Sequence, residues 1–254
     1  MQTRSSAEIA HEILQRCLRG EDWRQESYFQ LLSACCGQDP DEARAASEAL
    51  FGVLVEGLAD RFEPSLSDTY AELFAEAVAF AQPGWSAAEL VKRYRRVRKT
   101  RVFDAKSDHI RTVFVLSRVT LGADIAVTSL ALDASKRRFP SARVILVGNA
   151  KSYELFANDP RVGHIPVSYG RGGSLRDRLL VWPELQRHFS EPDSIVIDPD
   201  SRLTQLGLLP VCPEESYFFF ESRAFGGDSS ESLTELMRRW LGKVFGIDNA
   251  APYV

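Results

Sequence analysis

The chain has 254 residues, 44% hydrophobic and 26% charged, with 16 Gly and 12 Pro, proportions that exclude disordered, collagenous and low-complexity classes. Its 31 basic and 35 acidic side chains leave a formal net charge of −4, so no global field selects nucleic acid or an anionic bilayer as partner. The length allows two modest domains or one large one.

No apolar run reaches the roughly 18 residues of a membrane span, and the N-terminal MQTRSSAEIAHEILQ lacks the apolar centre of a secretory signal. A cytoplasmic chain without a transmembrane segment is expected. Cys17, Cys35, Cys36 and Cys212 show no CxxC spacing, which predicts reduced thiols. His11, His109, His164 and His188 are scattered without a metal-ligand pattern, and no metal site is expected.

Charge is distributed unevenly. Residues 1–91 hold 6 basic and 16 acidic side chains, residues 92–101 hold seven basic and none acidic, and residues 102–254 hold 18 and 19. The split predicts an acidic module, a basic connector and a near-neutral module.

The acidic part reads as helix almost throughout. Ser5 or Ser6, with Glu8 and the spaced Ile9, Ile13, Leu14, Cys17 and Leu18, predicts a capped helix stopping near Gly20. A second segment carries Tyr28, Leu31 and Leu32 to Gly37. Asp39-Pro40 opens a third, whose stripe runs from Ala45 to Leu58, and Ser65 to Ala81 repeats the pattern before Pro83-Gly84. A fifth helix begins near Ser86, giving an all-helical module over residues 1–105. In that last helix Leu90, Tyr94 and Val97 form one stripe, while Lys92, Arg93, Arg95, Arg96, Arg98, Lys99 and Arg101 point elsewhere. Two readings stay open for the cations: an anionic partner, or a solvated face pairing with the acidic module. Aromatics are not interleaved as a single-strand binder requires, so nucleic acid is not an expected partner.

The pattern changes after residue 105. Thr112–Leu116 is a nearly continuous β-branched and aromatic run, the signature of a strand buried on both faces of a parallel sheet. A helix from about Ile125 to Phe139 leads to a second run, 143–147. Alternation continues through runs at 163–167, 194–198 and 217–220, with helices at 152–157, 174–188 and 233–245. An α/β domain with an open, mostly parallel sheet is expected over residues 106–254.

Ligands of such sheets bind beyond the carboxyl ends of the strands, which directs attention to three loops. The first, Ser117 to Asp124, has a single glycine. The GxGxxG dinucleotide fingerprint is therefore absent, and no cofactor is expected. Arg118, Thr120 and Gly122 are candidate ligand contacts there, and Asp124 either caps a helix or accepts a proton from a substrate hydroxyl. The second, Tyr169 to Arg178, offers Arg171, Gly172, Gly173 and Ser174 at a helix start, as plain turn chemistry or as an anion cradle. The third, Asp198 to Gly207, concentrates Asp198, Asp200, Ser201, Arg202 and Gln205, side chains suited to hydroxyl-rich ligands or to capping. Glu221, after the aromatic strand, is a fourth candidate.

Leu121-Gly122-Ala123-Asp124-Ile125, Leu130-Ala131-Leu132-Asp133-Ala134 and Lys136-Arg137-Arg138-Phe139-Pro140-Ser141-Ala142, together with Ile145–Gly148 and Val196-Ile197-Asp198, resemble the opening βαβ of the heptosyltransferase-type glycosyltransferases (family 9, GT-B fold). The resemblance covers about residues 110–245. It implies a Rossmann-like N-terminal, acceptor-side half of a longer inverting glycosyltransferase, a nucleotide-sugar donor, and a glycan, lipid or protein acceptor. It also implies Asp124 as general base, although Ala123 separates Gly122 from Asp124 where the family has them adjacent, which can turn the carboxylate away from the cleft. Thr204 stands where many members carry a basic residue. The rival reading is a non-catalytic binding or scaffold protein, with a protein partner on the helical module.

Overall fold

Ser5 opens the first helix through reciprocal capping: its Oγ accepts from the Glu8 N–H at 3.3 Å, and the Glu8 carboxylate accepts from the Ser5 N–H at 2.7 Å. Two otherwise orphaned donors are satisfied ahead of α1 (Ser6–Leu18). After α2 (Glu26–Cys35), Asp39 accepts from the N–H groups of Asp41 and Glu42, and Pro40 occupies the first turn of α3 (Pro40–Glu48). A π-helical stretch, Ala49–Val55, continues into α4 (Glu56–Ala59), followed by α5 (Pro64–Ala81) and α6 (Ala87–Val97).

The structure, a computed structural model, describes residues 4–104, 109–170, 172–226 and 230–254. The chain divides into two compact units, Met1–Lys92 with Gly170–Leu180 and Arg93–Tyr169 with Val181–Val254. The sequence boundary expected at 105–106 lies outside the described residues. In the first unit Ile13, Leu32, Leu54, Tyr70 and Phe74 are buried, and the Tyr28 hydroxyl donates to the Leu73 carbonyl at 2.6 Å. Its polar tip is thereby satisfied while the ring fills the core.

The second unit is built on five parallel strands: β1 (Thr112–Leu116), β2 (Arg143–Gly148), β3 (Val162–Pro166), β4 (Ser194–Asp198) and β5 (Tyr217–Phe219), in the order β3-β2-β1-β4-β5. These lie within a residue or two of the five apolar runs. All five residues of β1 and of β4 are buried, as central parallel strands covered on both faces must be. The connections carry α7 (Leu121–Ala123), a π turn over Asp124–Thr128, α8 (Ser129–Arg138), α9 (Ala150–Glu154), α10 (Leu175–Leu179), α11 (Val181–His188) and α12 (Leu233–Phe245). Val113, Val115, Val144, Leu146, Ile195 and Ile197, which alternate along their strands, share one core with Leu130 and Ala134 of α8 and Met237, Trp240 and Val244 of α12. Phe103, Phe139, Phe218 and Phe245 close its end with ring centroids 5.1 to 6.0 Å apart. By contrast α10 belongs to the first unit. It buries Leu175 and Leu179 there and sets the Arg178 guanidinium 4.1 Å above the Phe51 ring. No helix among the described residues is long and apolar enough to cross a membrane.

β1 and β2 end in close approach. A Cβ on Gly148 would stand 2.5 Å from Ser117 Cβ, so Gly148→Ala must displace the loop after β1. A loss of about 1–3 kcal/mol is expected for overpacking at a tight contact, read as a lower urea midpoint. An unchanged midpoint would mean that the two strand ends are free to separate.

Candidate functional site

The strand order reverses between β1 and β4: β2 and β3 lie to one side of β1, and β5 lies beyond β4. A crevice at the carboxyl ends of such a pair is where open α/β sheets bind ligands. The two loops that leave these strands are tied together, because the buried Ser201 Oγ donates to the Ser117 carbonyl at 2.5 Å. They also concentrate backbone strain. Val119 (φ 70°), Asp200 (69°), Gln205 (52°) and Leu206 (56°) are left-handed, four of the six such non-glycine residues among those described. A left-handed conformation costs on the order of 1–3 kcal/mol per residue and is especially unusual for β-branched Val119, so the surroundings must hold these loops in shape.

Asp124 does much of that holding, and it does not face a crevice. The residue is completely buried. Its Oδ1 accepts from the Arg118 N–H at 2.8 Å and from the Thr128 hydroxyl at 2.7 Å, and its Oδ2 accepts from the Ser117 hydroxyl at 2.8 Å. Ser117 Oγ in turn accepts from the Val119 N–H at 2.9 Å and lies 3.0 Å from Ser152 Oγ. A carboxylate whose oxygens are engaged by three donors, with no exposed surface, leaves no approach for a substrate hydroxyl in this arrangement, which weighs against the general base implied by the resemblance. It anchors the turn from β1 into the following helix. Thr120 and Gly122, at the start of that helix, are exposed, and Thr120 makes no side-chain capping bond.

Asp198, at the end of β4, is likewise internal. It accepts from the Ser201 N–H (2.6 Å), the Thr204 hydroxyl (2.5 Å) and the Tyr217 hydroxyl (2.5 Å). Asp198 and Ser201 therefore brace the loop rather than face a ligand. Thr204 supplies one of the braces. Burial pushes the Asp198 carboxyl up to about 6, outweighing its three donors, and the charge of Asp200 adds to the rise. The folded state then holds this proton more tightly than the unfolded chain, whose value is 3.8. The resulting stabilisation is complete below that value and is lost as pH rises through about 6. Asp198→Asn is expected to lose this pH dependence, gaining on wild type between pH 4 and 7 in urea unfolding. Parallel pH profiles for the two proteins would refute the assignment.

Beside this brace lies a buried ionic quartet. Asp200 accepts from the Ser222 hydroxyl at 2.5 Å. It pairs with Arg223 at 3.4 Å and with Arg118 at 3.8 Å, and Arg223 pairs with Glu221 at 2.8 Å. Burial raises the Glu221 carboxyl, opposed by the Arg223 charge. Arg118 is the most accessible of the four, its side chain 12% exposed, and its Nη1 has no hydrogen-bond partner. The buried hydroxyl of Tyr94, on α6, is also without one, and it feels the charges of Arg223, Glu221 and Asp200. Gln205 Nε2 lies 3.4 Å from the Tyr169 hydroxyl, and Arg202 starts a short 3₁₀ turn, Arg202–Thr204.

The structure thus gathers Arg118, Asp198, Asp200, Ser201, Gln205 and Glu221 around the switch point. Gly172, Gly173 and Ser174 belong instead to the first unit, where Ser174 closes a capping box with Asp177 and a Cβ on Gly173 would meet Asp177 Cβ at 2.7 Å. Their role is the turn into α10. Arg171 lies outside the described residues. Arg223, Ser222 and Tyr94 complete the site without having been singled out as contacts. The polar loop after β5 was the signal for the first two, whereas Tyr94 sits on an apolar helical stripe that offered none.

Three cations of the basic run are engaged within the second unit. Arg93 Nη1 donates to the Gly207 carbonyl at 3.0 Å, and its guanidinium lies 4.9 Å from the Tyr217 ring centroid. Arg96 makes a bidentate pair with Glu214 (2.9 and 2.6 Å), and Arg101 donates to the Glu215 carbonyl at 2.8 Å. These three cations tie α6 and the segment after it to the loop after β4 and to the residues that lead into β5. Comparison with protein-family models, with curated proteins and with solved structures finds no match.

Proposed function

We propose that this chain is a glycosyltransferase of the heptosyltransferase type, with an all-helical module ahead of a Rossmann-like unit that serves as the acceptor-side half of a GT-B enzyme. The observation that carries the reading is the polar cluster at the β1/β4 switch point, where Arg118, its side chain 12% exposed, reaches the surface from its pair with the buried Asp200 carboxylate. A polyhydroxylated ligand supplies donors and acceptors together, the combination that such a cluster leaves open. In an inverting transfer the acceptor oxygen attacks the anomeric carbon, its proton passes to a general base, and the nucleoside diphosphate leaves with the bonding electron pair; with Asp124 internal, that base is solvent or the other half of the enzyme. Here the cluster binds and orients the acceptor, helix N-termini and basic side chains meet the leaving phosphates, and Asp124 shapes the loop without touching substrate.

The test is thermal-shift and calorimetric titration with nucleotide sugars, monosaccharide phosphates and oligosaccharides. At about 100 times Kd a ligand adds roughly 2.7 kcal/mol to stability, a shift of several degrees that Arg118→Gln should abolish. No shift with any probe, or an equal shift in the variant, removes the site. The burial of Asp124 favours a second reading, a binding protein without turnover. Ligand binding without release of nucleoside diphosphate would select it.

A further inference from the structure

We propose that the groove between α2 and α3 of the first unit docks a basic, amphipathic helix of a partner protein. Glu26, Phe29, Ser33 and Gly37 follow one another at spacings of three, four and four, which draws a single line along α2 and the turn after it. They line a groove of about 500 Å³ with Ala34 and, from α3, Glu42. Phe29 is 41% exposed, an apolar ring turned outward at one end, while Ser33, Ala34 and Gly37 leave the other end shallow enough for close approach by an incoming side chain.

Charge complementarity identifies the occupant. The unit, residues 1–92 and 170–180, holds 17 acidic against 10 basic side chains, and Glu26 and Glu42 flank the groove itself. An acidic rim around a partly apolar floor suits a helix with Leu-type anchors at i, i+3 or i+4 and i+7 and Lys or Arg beside them. The ten residues of α2 span about 15 Å, so about three turns of a partner would fill the groove. Phe29 adds a ring face for one of its cations. The surface is independent of the switch-point site and of the chemistry proposed there.

The full chain can be titrated against a fluorescein-labelled 14-residue Leu/Lys amphipathic peptide, followed by anisotropy. Saturable one-to-one binding is expected. It should weaken about tenfold or more in Glu26→Lys/Glu42→Lys and in Ser33→Arg, since reversal of close charge pairs raises the off-rate. Glu48→Lys, an exposed reversal on α3 away from the groove, should change it less than about twofold, as screened distant charges do. Circular dichroism melts confirm that each variant is folded. Equal weakening by Glu48→Lys, equal binding of a peptide with every Leu replaced by Ser, or no saturable binding overturns the proposal.

Discussion

Asp124→Ala is expected to lower the stability of the sheet unit by about 3–5 kcal/mol, because it strips a buried site of the acceptor for three donors at once. The Ser117 and Thr128 hydroxyls and the Arg118 N–H would remain in place without a carboxylate, and removing one side of a buried charged network costs more than the network's net contribution. Val119 loses its support as well, since the Ser117 hydroxyl that receives its N–H is held by Asp124. At about 2–4 °C per kcal/mol for a chain of this size, the melting temperature should fall by roughly 10 °C. Asp124→Asn, which keeps one oxygen but turns an NH₂ toward a donor, should lose an intermediate amount. A residue that served only as a catalytic base would show the reverse: lost turnover with stability intact. An Asp124→Asn protein that melts with wild type would therefore return the residue to the crevice.

Arg223→Met is expected to be of similar size, about 3–5 kcal/mol at neutral pH, for a different reason. Methionine fills much of the same volume, yet Asp200 and Glu221 are left as neighbouring buried carboxylates without their shared cation. Glu221, whose carboxyl burial already raises and the Arg223 charge opposes, relieves the repulsion by taking up a proton. The loss should be smaller at pH 5 than at pH 8, and Glu221→Gln in the Arg223→Met background should recover part of it. Equal losses at both pH values would mean that the ion pairs contribute little and that packing around Arg223 decides the effect.

The strands were legible because a parallel strand buried on both faces needs an uninterrupted apolar run, and TVFVL, RVILVG and SIVID are such runs separated by helix-length segments. Capping was legible too, since Ser5 with Glu8 and Ser232 with Glu235 are local arrangements within four residues. The role of Asp124 was not. Its place after β1 follows from local order, but whether its oxygens meet substrate or protein depends on Ser117 seven residues earlier and on the π turn that brings Thr128 beneath it. In the same way the stripe Leu90, Tyr94 and Val97 predicted one buried helical face, while the occupants of the other face, Gly207, Glu214 and Glu215, are more than a hundred residues away.

For this protein, local periodicity and capping chemistry determined where strands and helices form, and the apolar runs determined that the sheet is parallel, because burial on both faces leaves its mark on every residue of a strand. Only the tertiary structure decided which polar side chains are spent on the fold and which face the switch point. Partners for a buried carboxylate or guanidinium come from distant segments, and a charge looks the same in sequence whether it waits for a ligand or is already hydrogen-bonded.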